Sequence, residues 1–192
     1  MENKSTIIEE QDDGEEEIIK LTLPVNSNRD HIQGPSTAPL TLLEYGDYQC
    51  PYCGQAYPII KQVQKHLSNK LRFVFRNFPI TQVHPNAQHA AEAAESAAAQ
   101  NKFWEMHDYL YEHQQALDDN HLEKSAIKLG LDLAQFNHDM SSHAYTQHIR
   151  EDFLSGVRSG VNGTPTFYIN GIRYNDSWDL ETLLKTLRSK LN

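Results

Sequence analysis

The chain has 192 residues, enough for one domain or for one domain carrying a sizeable insertion, and enough to bury a full core without covalent staples. Its formal net charge is −9, but residues 1–17 hold eight acidic residues against one base, so only −2 is left for the remainder. A nearly neutral folded part argues against nucleic acid or an anionic membrane as a partner, and no apolar run approaches the length of a membrane span.

Residues 1–17 read as a disordered acidic tail whose role is to keep the end of the chain soluble. They lack the basic region, apolar stretch and small-residue cleavage site of a secretory signal, so the expected location is cytoplasmic, or periplasmic if a leader has been trimmed. Ile18 to Leu23 alternates and predicts an edge strand. Asp30 to Gly34 predicts another before the Gly34-Pro35 turn. Leu40 to Tyr45 predicts a more apolar strand and carries Glu44, six residues before Cys50.

The two cysteines of the chain, Cys50 and Cys53, follow that strand within Gly46-Asp47-Tyr48-Gln49-Cys50-Pro51-Tyr52-Cys53-Gly54. Ala56, Ile60, Val63 and Leu67 then recur at helical steps, which places Cys50 at a helix N-terminus with Pro51 on the first helical position. Free N–H groups and the positive end of the helix dipole point at Cys50 and stabilise its thiolate, as in Cys-X-X-Cys sites whose pKa values fall to roughly 3.5–7.5. Cys50 is therefore the expected nucleophile. Cys53, about one turn further in, is the expected resolving thiol. Half of a zinc site, a purely structural disulfide and two unrelated core cysteines compete with this reading. Zinc would need histidines to complete its ligands, and so short a loop makes a poor staple.

Pro58 predicts a kink that interrupts the helix, and residues 71–77 predict a strand with Leu71, Phe73 and Phe75 on one face. Pro85 opens an alanine-rich helical segment to Gln100, suited to close packing. Phe103, Met106, His107, Leu110 and Tyr111 form one face of the next helix, and further helices are expected over about 121–129, 133–140 and 142–160, with Gly130 as a C-cap and Asp132 as an N-cap. Thr166–Ile169, Asn170-Gly171 and Ile172–Tyr174 make a hairpin, and a last helix is capped near Asp176 or Ser177, with Leu180, Leu183, Leu184, Leu187 and Leu191 as its apolar stripe. The ten histidines read as surface or core residues rather than ligands: His138, His143 and His148 lie five apart, which spreads them around a helix, so no metal is expected. Tyr45, Tyr48, Phe167 and Tyr168 are candidates for an apolar groove near the cysteines.

From about Leu21 to Leu191 the sequence resembles the DsbA-like branch of the thioredoxin superfamily, especially its short soluble members and the thioredoxin-like domains fused to sodium/proton antiporters. The resemblance rests on RDHIQGPSTAPLTLLEYGDYQCPYCG (29–54), LRFVFRNFPI (71–80), HPNAQHAAEAAESAAAQNKFWEMHDYLYEHQ (84–114) and SGVRSGVNGTPTFYINGIRY (155–174). It implies an α/β thioredoxin fold from residues 18–81 and 156–192, interrupted by a helical insertion over 82–155, and thiol-disulfide exchange with protein substrates. Pro165 matches the family's cis-proline, which with Thr164, Pro51 and Tyr52 faces the substrate. Glu44 matches the acidic residue beneath the disulfide, proposed to relay a proton for the buried cysteine. Thr164 and Tyr52 replace the valine and histidine of the best-known oxidases, which points away from the strongest oxidants.

The expected function is thus a protein thiol-disulfide oxidoreductase with Cys50, Cys53 and Glu44 at its centre, no cofactor beyond the Cys50–Cys53 pair, and an electron partner such as the thioredoxin or glutathione system. A non-catalytic peptide-binding module and a glutathione-linked oxidoreductase are the alternatives. In a reducing compartment the pair is expected to rest as a dithiol that reduces or reshuffles disulfides.

Overall fold

The computed structural model describes residues 18–191, so the expected acidic tail lies outside the described residues. Strands β1 (His31–Gln33), β2 (Leu40–Gly46) and β3 (Leu71–Asn77) flank helix α1 (Pro51–Leu67). Five helices follow: α2 (Ala87–Ala98), α3 (Phe103–Glu112), α4 (Asp119–Lys128), α5 (Leu133–Ser142) and α6 (Thr146–Arg158). The hairpin β4 (Thr166–Ile169) and β5 (Ile172–Tyr174) and helix α7 (Leu180–Ser189) close the fold. The sheet order is β1-β3-β2-β4-β5, with β2 parallel to β3 and antiparallel to β4.

Every residue of β2 is buried, as expected of a central strand covered on both faces. On one face Leu42, Phe73 and Ile169 sit side by side in register beneath α1 and α7, which supply Ile60, Val63, Leu183 and Leu187. On the other, Leu43, Val74 and Tyr168 line up against Phe78 and Val161, with Phe153 of α6 packed over them. Arg76, fully buried on this second face, is neutralised by Asp30 through Nε–Oδ1 and Nη2–Oδ2 contacts of 2.9 and 3.0 Å, and donates to the Leu23 and Pro24 carbonyls and the Tyr45 hydroxyl. A buried guanidinium is tolerable only when its donors are met in this way. Six buried alanines let α2 approach its neighbours α3 and α5 closely. No helix among the described residues is long and apolar enough to cross a membrane.

Several expectations need correction. Ile18 to Leu23 makes a single bridge, Lys20 to Ile172, rather than a strand, because it meets only the short edge of β5. Helix α1 runs through Pro58 without interruption; one backbone bond is lost, while Ala56, Ile60, Val63 and Leu67 stay buried on either side. Helix α6 starts at Thr146, not 142, since His143 takes the left-handed conformation (φ 52°, ψ 43°) that ends α5. Helix α7 is capped by Asp179, whose side chain accepts from the Glu181 and Thr182 N–H groups, while the Ser177 carbonyl accepts from the Tyr174 hydroxyl. Asn170 and Gly171 both have positive φ, as the expected hairpin turn requires.

Candidate active site

Cys50 occupies the N-cap of α1 with Pro51 in the first turn, and no side chain caps this helix end. The first-turn N–H groups therefore remain free for the Cys50 sulfur. The Cys50 thiol is held down to about 5, first by the Cys53 thiol that donates to it; burial opposes, and the Thr164 side chain and the backbone N–H groups of Cys53 and Tyr52 add to the lowering. In its neutral form Cys50 donates instead to the Thr164 carbonyl, at 3.3 Å. Cys53, one turn deeper, is pushed well above the usual thiol range by burial, by its role as donor to Cys50, and by the Glu44 charge. Both cysteines are free thiols, 4 % and 0 % exposed respectively. The Thr164–Pro165 bond is cis, and the 62 % exposure of Tyr52 leaves an aromatic surface beside the sulfur.

Glu44 lies on the α1 face of β2 between Phe75 and Phe167, almost wholly buried. Burial raises its carboxyl to about 8, with the Cys50 charge adding to the shift. It opens on an internal cavity of about 10 Å³ shared with Tyr57, Lys61, His107, Asp108 and Tyr111, room for about one water. His107 Nδ1 lies 3.2 Å from Asp108 Oδ1 and so carries the proton; its Nε2 is buried with no protein partner. Burial keeps this imidazole neutral. The Tyr48 and Tyr111 hydroxyls, in rings packed against His107, are equally unpartnered. Asp108 reaches the surface through Lys61 at 2.7 Å.

The loop before Cys50 is fixed by residues that sequence reasoning did not single out. Asp47 Oδ1 accepts from the Gln49 N–H at 2.8 Å, while Oδ2 accepts from the Ile80 N–H and meets His84 Nδ1, both at 2.8 Å. Its carbonyl accepts from the Cys50 N–H. An aspartate whose carboxylate accepts from the N–H two residues on is a readable Asx signal. Gln114, just past α3, donates to the Tyr48 and Cys50 carbonyls at 2.8 and 3.0 Å, and nothing in its local sequence marks it. A Cβ on Gly54 would stand 1.9 Å from Gln114 Oε1, so the glycine makes room for this carboxamide. Tyr45, Tyr48, Phe167 and Tyr168 are all core residues, 0–2 % exposed, and line no groove. The histidines gather across elements rather than around one helix: His31 and His148 meet at Glu95, and His89 and His143 at Glu92.

A model of the thioredoxin family matches residues 26–189. The chain is 45 % identical over 174 residues to Na(+)/H(+) antiporter NhaA 1 of Salinispora arenicola, which covers 91 % of this chain and 26 % of the antiporter. It thus spans about a quarter of the curated relatives it matches. Among solved structures, it is similar to a thioredoxin-like oxidoreductase from Silicibacter pomeroyi (TM-score 0.75, 25 % identity, 85 % of this chain and 94 % of that one). It also resembles the thiol-disulfide exchange protein alpha-DsbA2 from Wolbachia pipientis (TM-score 0.70, 23 % identity, 83 % and 86 %). The sheet and its intervening helices therefore form a thioredoxin fold with inserted helices, as the sequence resemblance implied.

Two outcomes follow from this geometry. In the reduced protein, thiolate absorbance against pH should give one step near 5 for Cys50, with Cys53 ionising only above the usual thiol range. Because the folded value of Cys50 lies below its ordinary 9.0, its contribution to stability is present above about 9 and lost as pH falls toward 5. A first thiol step near 9 would contradict the assigned environment. Second, Gly54→Ala should displace Gln114 and strip its two loop bonds, about 1–3 kcal/mol, outweighing a helix-propensity gain of about 1 kcal/mol. With Gln114→Ala already in place, Gly54→Ala should instead stabilise. Urea unfolding of the four-member cycle tests this; a cost of equal size in both backgrounds would refute the linkage.

Proposed function

The chain belongs to the thioredoxin family, and on that premise we propose that it is a thiol-disulfide oxidoreductase acting on protein substrates through Cys50-Pro51-Tyr52-Cys53. The observation that carries this reading is the placement of the two thiols: Cys50 stands at the uncapped N-terminus of α1 and Cys53 one turn deeper in the core, an arrangement that lowers the first and raises the second. An exchange catalyst needs that asymmetry, because the first thiol must attack as an anion while the second waits protonated.

In the reducing direction, the Cys50 thiolate attacks one sulfur of a substrate disulfide. The substrate S–S bond breaks, its second sulfur leaves as a thiolate that takes a proton from solvent, and a mixed disulfide forms on Cys50. With Cys50 now uncharged, Glu44 first releases its own proton through the adjoining cavity, and the resulting carboxylate takes the proton of Cys53 as the Cys53 sulfur attacks Cys50 Sγ. The Cys50–Cys53 bond forms, the bond between Cys50 and the substrate breaks, the released substrate sulfur leaves as a thiolate that takes a proton from solvent, and two electrons have passed to the substrate. Oxidation is the reverse sequence, and no cofactor beyond the pair is required. The burial of Glu44 supports its role as proton acceptor, since the Cys50 charge that helps raise its carboxyl vanishes in the mixed disulfide. The cavity between Glu44 and His107 then provides a route to Asp108 and Lys61 at the surface.

Pro51, Tyr52, Thr164 and Pro165 form the face offered to the substrate. The exposed ring of Tyr52 and the Thr164 carbonyl near Cys50 favour an extended peptide over a small thiol. In a glutathione-buffered compartment, the location proposed for this sequence, the pair rests as the dithiol and draws electrons from a thioredoxin- or glutathione-type donor.

Disulfide exchange on insulin tests the proposal. Cys50→Ser should abolish turnover, whereas Cys53→Ala should keep the first attack and accumulate a Cys50 mixed disulfide. Absence of turnover in the parent, with no mixed disulfide in Cys53→Ala, would favour a peptide-binding role without chemistry, and turnover undiminished in Cys50→Ser would refute Cys50 as the nucleophile. Turnover of glutathione mixed disulfides but not of insulin would favour the glutathione-linked alternative.

A further inference from the structure

A second group of ligand-bearing side chains lies in the inserted helices, where the exchange reading gives it no task. His89 and Glu92 stand one turn apart on α2 and share a face. His143 reaches them from the end of α5. Its left-handed backbone, uncommon for a residue other than glycine, is held by an N–H donated to the Asp139 and Met140 carbonyls. That turn sets His143 Nδ1 3.0 Å from Glu92 Oε2. One donor atom from each of His89, Glu92 and His143 falls within 4.8 Å of the others.

Further contacts orient these three residues. Glu92 is buried, and its Oε1 accepts from Gln88 Nε2 at 2.9 Å and from Thr146 Oγ1 at 2.5 Å, which fixes the carboxylate while Oε2 faces the histidines. His89 Nδ1 lies 2.7 Å from Asp119 Oδ1, so its proton goes to the carboxylate and Nε2 keeps a free lone pair. A carboxylate that fixes the tautomer of a histidine is the usual outer support of a metal-bound imidazole. His89, Asp119, Glu123, Asn137 and His143 border a cleft of about 420 Å³, which leaves room for a further ligand and gathers negative charge around it.

We propose that His89, Glu92 and His143 bind a divalent cation of the zinc class, with water from the cleft as the fourth ligand. Two imidazoles and one carboxylate with an open position suit zinc. Bonds of about 2.0–2.1 Å need ligand atoms about 3.4 Å apart, so the 4.8 Å spread must contract. The two imidazoles, 43 % and 59 % exposed, can swing toward the anchored carboxylate. The other such group, His31, Glu95 and His148, is less suited: Asn77 already occupies Glu95 Oε1, and the His31 ring is stacked on Phe103 at 3.5 Å.

The test is zinc titration of the full chain by calorimetry, with Cys50 and Cys53 first oxidised to the disulfide so that neither thiolate can bind the metal. One equivalent is expected to bind. His89→Ala and His143→Ala should each weaken it at least tenfold, Glu92→Gln should weaken it as well, and His31→Ala should leave it unchanged. Cobalt(II) gives a second readout, an intense visible absorption in the parent that is lost in His143→Ala. Circular dichroism and insulin exchange, both unaltered in the histidine variants, would establish that the fold survives. Absence of binding, binding unaffected by His89→Ala and His143→Ala, or binding lost in His31→Ala would each overturn the proposal.

Discussion

Two thiols one turn apart at the start of a helix cannot share an environment, and the rest of the active site depends on that constraint. The first residue outside the helix collects the free N–H groups of the opening turn, while the residue three further on points into the core against β2. The sequence Cys-Pro-Tyr-Cys turns this geometry into opposed acidities. Glu44, placed on the α1 face of the central strand, extends the asymmetry inward, because a carboxyl buried there is raised to about 8. The same burial that makes Cys53 reluctant to ionise therefore makes the nearby carboxylate a stronger base.

Keeping the helix start in place is the work of contacts drawn from far along the chain. Asp47 ties the loop to Ile80 and His84, and Gln114 ties it to the end of α3. The inserted helices thus hold the loop before Cys50 through directed hydrogen bonds as well as packing. Arg76 and Asp30 play the equivalent part on the opposite face of the sheet, joining β3 to the segment around Leu23 and Pro24. A rigid sheet between these two sets of contacts is what allows a single turn of helix to define two chemical environments.

Much of this was legible in the sequence because it is encoded locally. The apolar run before Cys50, the proline after it, the Asn170-Gly171 turn and the leucine stripe of α7 each have short-range physical causes. What escaped is tertiary. Gln114 is 64 residues from Cys50, and His107 appeared only as one member of an apolar helical face. His89 and His143 are brought together by the packing of α2 against α5 and by a left-handed turn that no local pattern announced. The same turn explains why the start of α6 was placed four residues early. The cap of α7 was misplaced because three acidic or hydroxyl residues, Asp176, Ser177 and Asp179, compete for the role within four positions.

The proton-acceptor role proposed for Glu44 requires a protonated carboxyl at neutral pH in the reduced protein and a carboxylate once Cys50 is uncharged. Isotope-edited infrared spectroscopy of the Glu44 carboxyl, followed against pH, reads this directly. In the reduced chain it should show a protonated carbonyl band at pH 7 that converts to carboxylate near pH 8. With Cys50 blocked as a neutral mixed disulfide, the conversion should move to lower pH, because the Cys50 charge is gone. A carboxylate band at pH 7 in the reduced chain, converting near the ordinary glutamate value of 4.5, would contradict the account.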